Sequence, residues 1–299
     1  MSSNTIGSTT ELVTKKYKKR SQMGEIFHHL SKNKGAMAGF IILGLMVLAF
    51  FISLFIRWES IVALNAGARF ATPSWEFPFG ADNFGRSVFL RVIYGTRYTL
   101  AIGVGSVALA AVFGVTAGCF AGYYGGKVDD IILRLSDVLA SIPGMLLGMV
   151  VVTVLGQSLQ NLIIAVGVQA IPIYLRMTRA SIMTVRNNEF VEAARAIGLP
   201  NMRIIFSQVL PNGLAPIIVT LTASLGISII VASSLSFLGF GVPVPHPEWG
   251  ALIADSREFI RHAPHLTTFP GIFIMLIVLA FNLLGDGLRD ALDPKLKKR

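Results

Sequence analysis

From Ile204 to Pro247 the chain carries no Asp, Glu, Lys or Arg, and between Leu214 and Leu238 its polar side chains are Thr and Ser alone. No other feature restricts the fold as strongly. Backbone N–H and C=O groups in hydrocarbon have no water to bond, so an uncharged run of this length is a helix that satisfies itself. Roughly 20 residues suffice to cross about 30 Å of hydrocarbon. Five further runs meet or approach that length without a charge: 36–56, 99–122, 138–156, 159–175 and 267–285. The expected fold is therefore all-α and integral to the membrane, with six transmembrane helices over residues 36–288. Composition agrees, because 53% hydrophobic and 14% charged residues leave more apolar surface than a soluble core hides.

Residues 1–35 are polar and basic and read as an N-terminal segment on the cytoplasmic side; 289–299 form a basic tail. Six crossings put both termini on one side. With the termini inside, the outer loops hold 7 of the 26 Lys and Arg residues and the inner segments 19. That asymmetry fixes the orientation by the positive-inside rule, and explains a net charge of +10 without nucleic acid. Residues 57–98 and 239–266 then lie outside, with Trp249 expected as an interfacial aromatic. Gly103, Gly105, Gly114, Gly118 and Gly122 in the second span are spaced for close helix packing. Pro143 is expected to kink the third span, and Pro172 to interrupt the fourth.

Several functions lose their chemistry. No phosphate-binding loop is present, because Gly126-Lys127 is followed by Val128, so ATP hydrolysis is not expected of this polypeptide. The histidines lie outside the spans and no HExxH occurs; Cys119 is alone in an apolar run, so no metal site or disulfide is expected. Ion-coupled transporters keep ionisable groups within their spans, and these spans have none. A secondary transporter and a non-transporting structural membrane protein stay open as alternatives.

One polar interval stands out between the fourth and fifth spans. Asn188 is a good N-cap, Glu189 and Glu192 fall in the first turn where the helix dipole favours acids, Arg195 falls in the last, and Gly198 with Pro200 ends the run. A second short helical segment, Asn201 to Val209, is expected to end at Pro211, completing a helical hairpin.

Glu192-Ala193-Ala194, then Gly198 and Leu210-Pro211, resembles the EAA signature of the membrane subunits of binding-protein-dependent ABC importers, with Gln208 where Ile is usual. Phe79-Gly80-Ala81-Asp82-Asn83-Phe84-Gly85-Arg86 continuing to Arg97 resembles the segment before the second span in C-type permeases of the dipeptide, oligopeptide and nickel importer family; Ser87 and Leu90 replace Asp and Ser there. Gly239-Phe240-Gly241 with Pro247-Glu248-Trp249-Gly250, and the terminal Phe281-Asn282-Leu283-Leu284-Gly285-Asp286-Gly287-Leu288-Arg289-Asp290, are similar to further motifs of that family. Read singly, Arg86, Arg91 and Arg97 suit lipid-phosphate anchors, and Asp286 with Arg289 an ion pair at i and i+3.

The resemblance implies a type I ABC importer permease that forms half of a translocation pathway in a prokaryotic inner (cell) membrane. It implies a homologous second permease, two cytoplasmic ATPase subunits that hold ATP and Mg, and an extracytoplasmic substrate-binding protein. It assigns ATPase coupling to Glu189, Glu192, Ala193, Ala194, Gly198, Leu210 and Pro211, and no cofactor, metal or catalytic residue to this chain. The implied cargo is a dipeptide or oligopeptide, with nickel or another small solute as alternatives; substrate-contacting residues are not identified.

Overall fold

The computed structural model describes residues 30–292, and the basic N-terminal segment and tail expected from the sequence lie largely outside them. Among the described residues the regular structure is helical, apart from one isolated bridge between Ala81 and Ser87. Five helices are long and apolar enough to cross a membrane, or six when one sharply bent pair is counted as a span.

Helix α1, Lys34–Phe55, starts at Asn33, whose side chain accepts from the Ala36 amide, and matches the first expected crossing within two residues. A short α2, Trp58–Val62, begins the outer segment. Helix α3, Val88–Tyr124, has 37 residues, about 55 Å at 1.5 Å per residue, and begins eleven residues before the expected 99. Its first turns carry Arg91 and Arg97, expected in the outer segment 57–98. Each is answered inside the protein: Arg91 pairs with Asp82, and Arg97 donates to the Ser53 carbonyl while lying 3.8 Å over the Tyr94 ring. Arg86 also pairs with Asp82, so neither Arg86 nor Arg91 is a lipid-phosphate anchor; both are buried.

The expected third crossing, 138–156, is broken, at the proline expected to kink it. Helix α4, Gly126–Ala140, meets α5, Gly144–Leu155, at 83°. Twelve residues in α5 span only about 18 Å, so the two helices make one broken crossing or none. Pro143 sits at the break, where it lacks the N–H a continuous helix needs. Helix α6, Leu159–Val185, runs ten residues past the expected 175 and keeps Pro172 inside it. Its added turns hold Arg176 and Arg179, which pair with Asp137 and Asp129 of α4.

Helix α7, Glu189–Ala196, leads to α8, which runs from Asn201 and ends at Gly239, where φ is +89°. Helix α9, Trp249–Ser256, and α10, His265–Leu292, complete the chain. Asp286 and Arg289 of α10 do not pair with each other, and Asp290 accepts instead from Asn33 Nδ2 at 3.1 Å.

The glycine stripe of α3 fits the close-packing expectation. A Cβ on Gly114, Gly118 or Gly122 would lie 2.6–2.8 Å from the carbonyl oxygens of Ile171, Leu175 and Arg179, so α3 and α6 meet backbone to backbone. On the other side α3 meets α1, α8 and α10 in a cluster of Met46, Val92, Ile229, Ile277 and Phe281. Trp249 lies in this cluster rather than at an interface: it is 0% exposed, and its indole N–H donates to the Val92 carbonyl at 2.9 Å.

Glu248 beside it is also wholly buried and caps α9, accepting from the Gly250 and Ala251 amides at 2.9 Å each. Burial pushes this carboxyl up from 4.5, against the opposing pull of those amides and of Ser236 and Ser233. An acid whose folded pKa is raised contributes most stability below its unfolded value and loses it as pH rises through the folded value. The melting temperature of the detergent-solubilised protein is therefore expected to fall from pH 5 to pH 8 with a component that Glu248→Gln removes. Parallel pH profiles for the two proteins would refute this.

Candidate coupling hairpin

Between α6 and α8 the backbone reverses through Arg186 to Asn188. Asn188 is extended, at φ −76° and ψ 148°, and its backbone carbonyl accepts from Val191 at 2.9 Å; its side chain makes no capping bond. Glu189 and Glu192 therefore supply the negative charge at this helix start. The other end closes as the sequence implies. Gly198 N–H donates to Arg195 O at 2.9 Å and Leu199 N–H to Ala194 O at 3.1 Å, the paired bonds of a Schellman stop, with Gly198 at φ +77°.

The second arm does not end at Pro211. The chain passes from Asn201–Ile204 through one π-helical turn, Ile205–Val209, into Leu210–Leu235 without a break. The Leu210 amide bonds to Ile205 O, five residues back, so the wide turn takes up the proline ring where the ladder changes register. The hairpin is thus one free helix, α7, folded against the root of a span.

Its inner face is apolar. Val191 and Ala194 are buried with Cys119 and Tyr123 of α3, Ile182 and Val185 of α6, and Ile204, Ile205 and Val209 of α8. Tyr123 pins the arrangement: its hydroxyl donates to Asn201 Oδ1 at 3.0 Å and accepts from Arg195 Nε at 3.3 Å, with the Arg195 guanidinium 5.1 Å above the ring. Arg186 donates to the Gly122 carbonyl at 2.7 Å, capping the C-terminal end of α3 from the foot of the hairpin. Hairpin, α3 and α6 therefore share one set of bonds.

The outer face has another character. Glu189, Phe190, Glu192, Ala193, Arg195 and Ala196 are exposed, and Ile197 (77%), Met202 (51%) and Phe206 (45%) extend an apolar tip beside the acidic start. Seven sequence-derived positions thus divide. Glu189, Glu192 and Ala193 face outward; Ala194 and half-buried Leu210 pack on the protein's own core; Gly198 makes the turn with open space around it; Pro211 is exposed on α8. Tyr123 and Arg186 were missed. A tyrosine pair ending a span and an arginine just before the Asn188 cap were the available signals. No cluster of three or more His, Cys, Asp or Glu suited to a metal occurs among the described residues.

Residues 114–298 match the model of the family described as binding-protein-dependent transport system inner membrane component, and residues 21–67 match the N-terminal TM domain of oligopeptide transport permease C. The chain is 46% identical over 273 residues, 91% of its length and 90% of the relative's, to the dipeptide transport system permease protein DppC of Alkalihalophilus pseudofirmus. It is 39% identical to the di/tripeptide transport system permease protein DppC of Pseudomonas aeruginosa, over 93% of both chains. It is 46% identical to the glutathione transport system permease protein GsiD of Escherichia coli, over 75% of this chain and 74% of the relative. Among solved structures, a chain of the inward-facing MetNI methionine ABC transporter superposes with a TM-score of 0.56 at 20% identity, over 68% of this chain and 96% of that one, a likeness of fold.

Proposed function

This chain belongs to the family of binding-protein-dependent transport system inner membrane components, and from that premise we propose how it works as a C-type permease of a peptide importer. It is a multi-pass inner-membrane transport subunit, and such permeases act with a partner permease, an ATPase and a binding protein. The observation that carries the coupling reading is the two-sidedness of α7. Its inner face packs on the spans through Val191 and Ala194, with Arg195 bonded to Tyr123 at the edge, while its outer face exposes acid and an apolar tip.

The mechanism follows from that division. Two ATPases that hold ATP and Mg receive the outer surface around Glu189, Glu192, Ala193 and Ile197. Their closure displaces α7, and Tyr123 with Arg186 passes the displacement to α3 and α6, where backbone-to-backbone packing makes the pair move as one body. α8 follows directly, because no loop intervenes between the second arm and its span. ATP binding then selects between two packings of the spans, and cavity access alternates. Gly198, Ala194 and Leu210 shape and seat the hairpin rather than touch the ATPase. This polypeptide hydrolyses no ATP itself, and its cargo is a dipeptide or short peptide released by the binding protein.

Both termini and the hairpin lie in the cytoplasm in this reading. With Cys119 replaced, Ser74→Cys in the outer segment is expected to react with an impermeant thiol reagent in intact cells, and Asn201→Cys only after permeabilisation; both positions are exposed. Labelling of Asn201→Cys from outside would overturn the orientation. The function itself is tested by reconstituting the chain with its partner permease, ATPases and binding protein. ATP-dependent uptake of a dipeptide is expected only when all are present, and uptake without this chain would defeat the assignment.

A further inference from the structure

A cleft of about 650 Å³ opens between the last turns of α6, the first span turns of α8 and the end of α10. It lies at the hairpin end of the bundle, since α6 enters the hairpin and α8 leaves it. Its size falls within the range of small-molecule sites. Its hydroxyls are one-sided in chemistry, and Asn212, whose Nδ2 donates to Gln208 O at 2.6 Å, adds an acceptor in its Oδ1 and one further N–H. Ser181 donates to Gly213 O at 2.7 Å, Thr184 to Ala180 O at 3.1 Å and Thr220 to Pro216 O at 2.9 Å. Each hydroxyl proton is thereby committed, leaving oxygen lone pairs that accept from N–H donors. The one charged residue lining the cleft is Arg289, which makes no ion pair among the described residues.

Acceptors on the α6 and α8 walls and a single cation on the α10 wall match a molecule with N–H donors at one end and a carboxylate at the other. Met177, Pro216 and Val219 add apolar surface between them. We infer that the cleft is an exit-side binding site for free peptide, with Arg289 taking its C-terminal carboxylate; this rests on the peptide reading above. Because the walls are the helix ends on either side of the hairpin, occupancy and hairpin position are linked. Whatever biases one biases the other, by an equal free energy. Accumulated product therefore holds the importer in its inward-open packing and slows the next cycle.

The test uses the complete importer in proteoliposomes with MgATP inside and labelled dialanine supplied to the binding protein outside. Unlabelled dialanine inside is expected to slow initial uptake, whereas dialanine amide, which lacks the carboxylate, should need about tenfold more for the same slowing, as for a lost charge-assisted hydrogen bond. Each protein is referred to its own rate without internal peptide. Arg289→Gln should make acid and amide equivalent, and Arg289→Lys should keep a difference. Equal inhibition by acid and amide in the wild type, no internal inhibition at all, or a difference that survives Arg289→Gln each overturns the site. Failure of the wild-type importer to take up dialanine defeats the peptide reading and the site with it, a result distinct from those three.

Discussion

Asp82→Asn is expected to unfold the outer face of the protein. Asp82 is 6% exposed, and its two oxygens take four bonds: Oδ2 accepts from Arg86 Nε at 2.7 Å and Arg91 Nη1 at 2.6 Å, and Oδ1 accepts from the Phe84 and Arg86 amides at 2.8 and 2.9 Å. Arg86 and Arg91 are themselves 6% and 3% exposed. An asparagine leaves two buried guanidiniums without their bonded counter-charge, with only the Asp255 carboxylate facing the same cluster, and turns an amino group toward them if its oxygen keeps the backbone amides. Breaking a buried pair by removing one partner costs about 3–5 kcal/mol, a large part of the 5–15 kcal/mol that holds a typical domain folded.

The segment from Ala63 to Ser87 depends on this carboxylate for its turn and for its anchor on α3. Limited proteolysis of Asp82→Asn is expected to cut within it under conditions that leave the wild type intact, together with a marked fall in melting temperature. Arg57→Gln is the control, because Arg57 and Glu59 are 81% and 72% exposed and their pair is worth little in water. A variant at Asp82 that melts and digests like the control would show that the buried cluster holds nothing together.

A second large effect is expected at the hairpin. Gly198→Val places a β-branched residue at φ +77°, where the backbone and not the surroundings resists, since a Cβ there meets nothing within 4 Å. The cost of that conformation is about 1–2 kcal/mol for any L-residue and more for a branched one, enough to displace the Schellman stop. The direction of the second arm then changes, and α7 loses the seat made by Val191 and Ala194. Combined with Glu192→Lys, which reverses a charge on the outer face, uptake and substrate-stimulated ATP hydrolysis of the assembled importer should fall together. Because an ATPase interface depends on few anchor residues, a fall of tenfold or more is expected. Membrane insertion and loading of the binding protein should persist, since both changes lie away from the outer loops. Wild-type uptake by a well-expressed double variant would reduce the hairpin to a solvated loop.

Much of this protein was legible in its residues. Charge-free runs identified the apolar helices because hydrocarbon leaves the backbone no alternative. The hairpin's first helix was legible for local reasons too: acids at its start, a glycine that alone takes φ +77° cheaply, and a proline just beyond. The same local logic set the glycine stripe of α3 against a neighbouring helix, although not against which one.

What the residues in order did not reveal is where charge is cancelled at a distance. Arg91, Arg97, Arg176 and Arg179 fall outside the expected spans, yet α3 and α6 continue through them because partners come from other parts of the chain, Asp129 of α4 fifty residues before Arg179. Trp249 looked interfacial and is wholly buried, its N–H held by a carbonyl 157 positions away. Pro211 looked like a stop and is carried by a π-helical turn. Hydropathy and turn chemistry act over a few residues, so the sequence alone determined where most of the long apolar helices lie and where α7 starts and stops. Desolvation of a charge or an indole N–H is relieved by whichever group the folded chain brings within 3 Å, so only the tertiary structure decided how far α3 and α6 run and which side chains tie the hairpin to them.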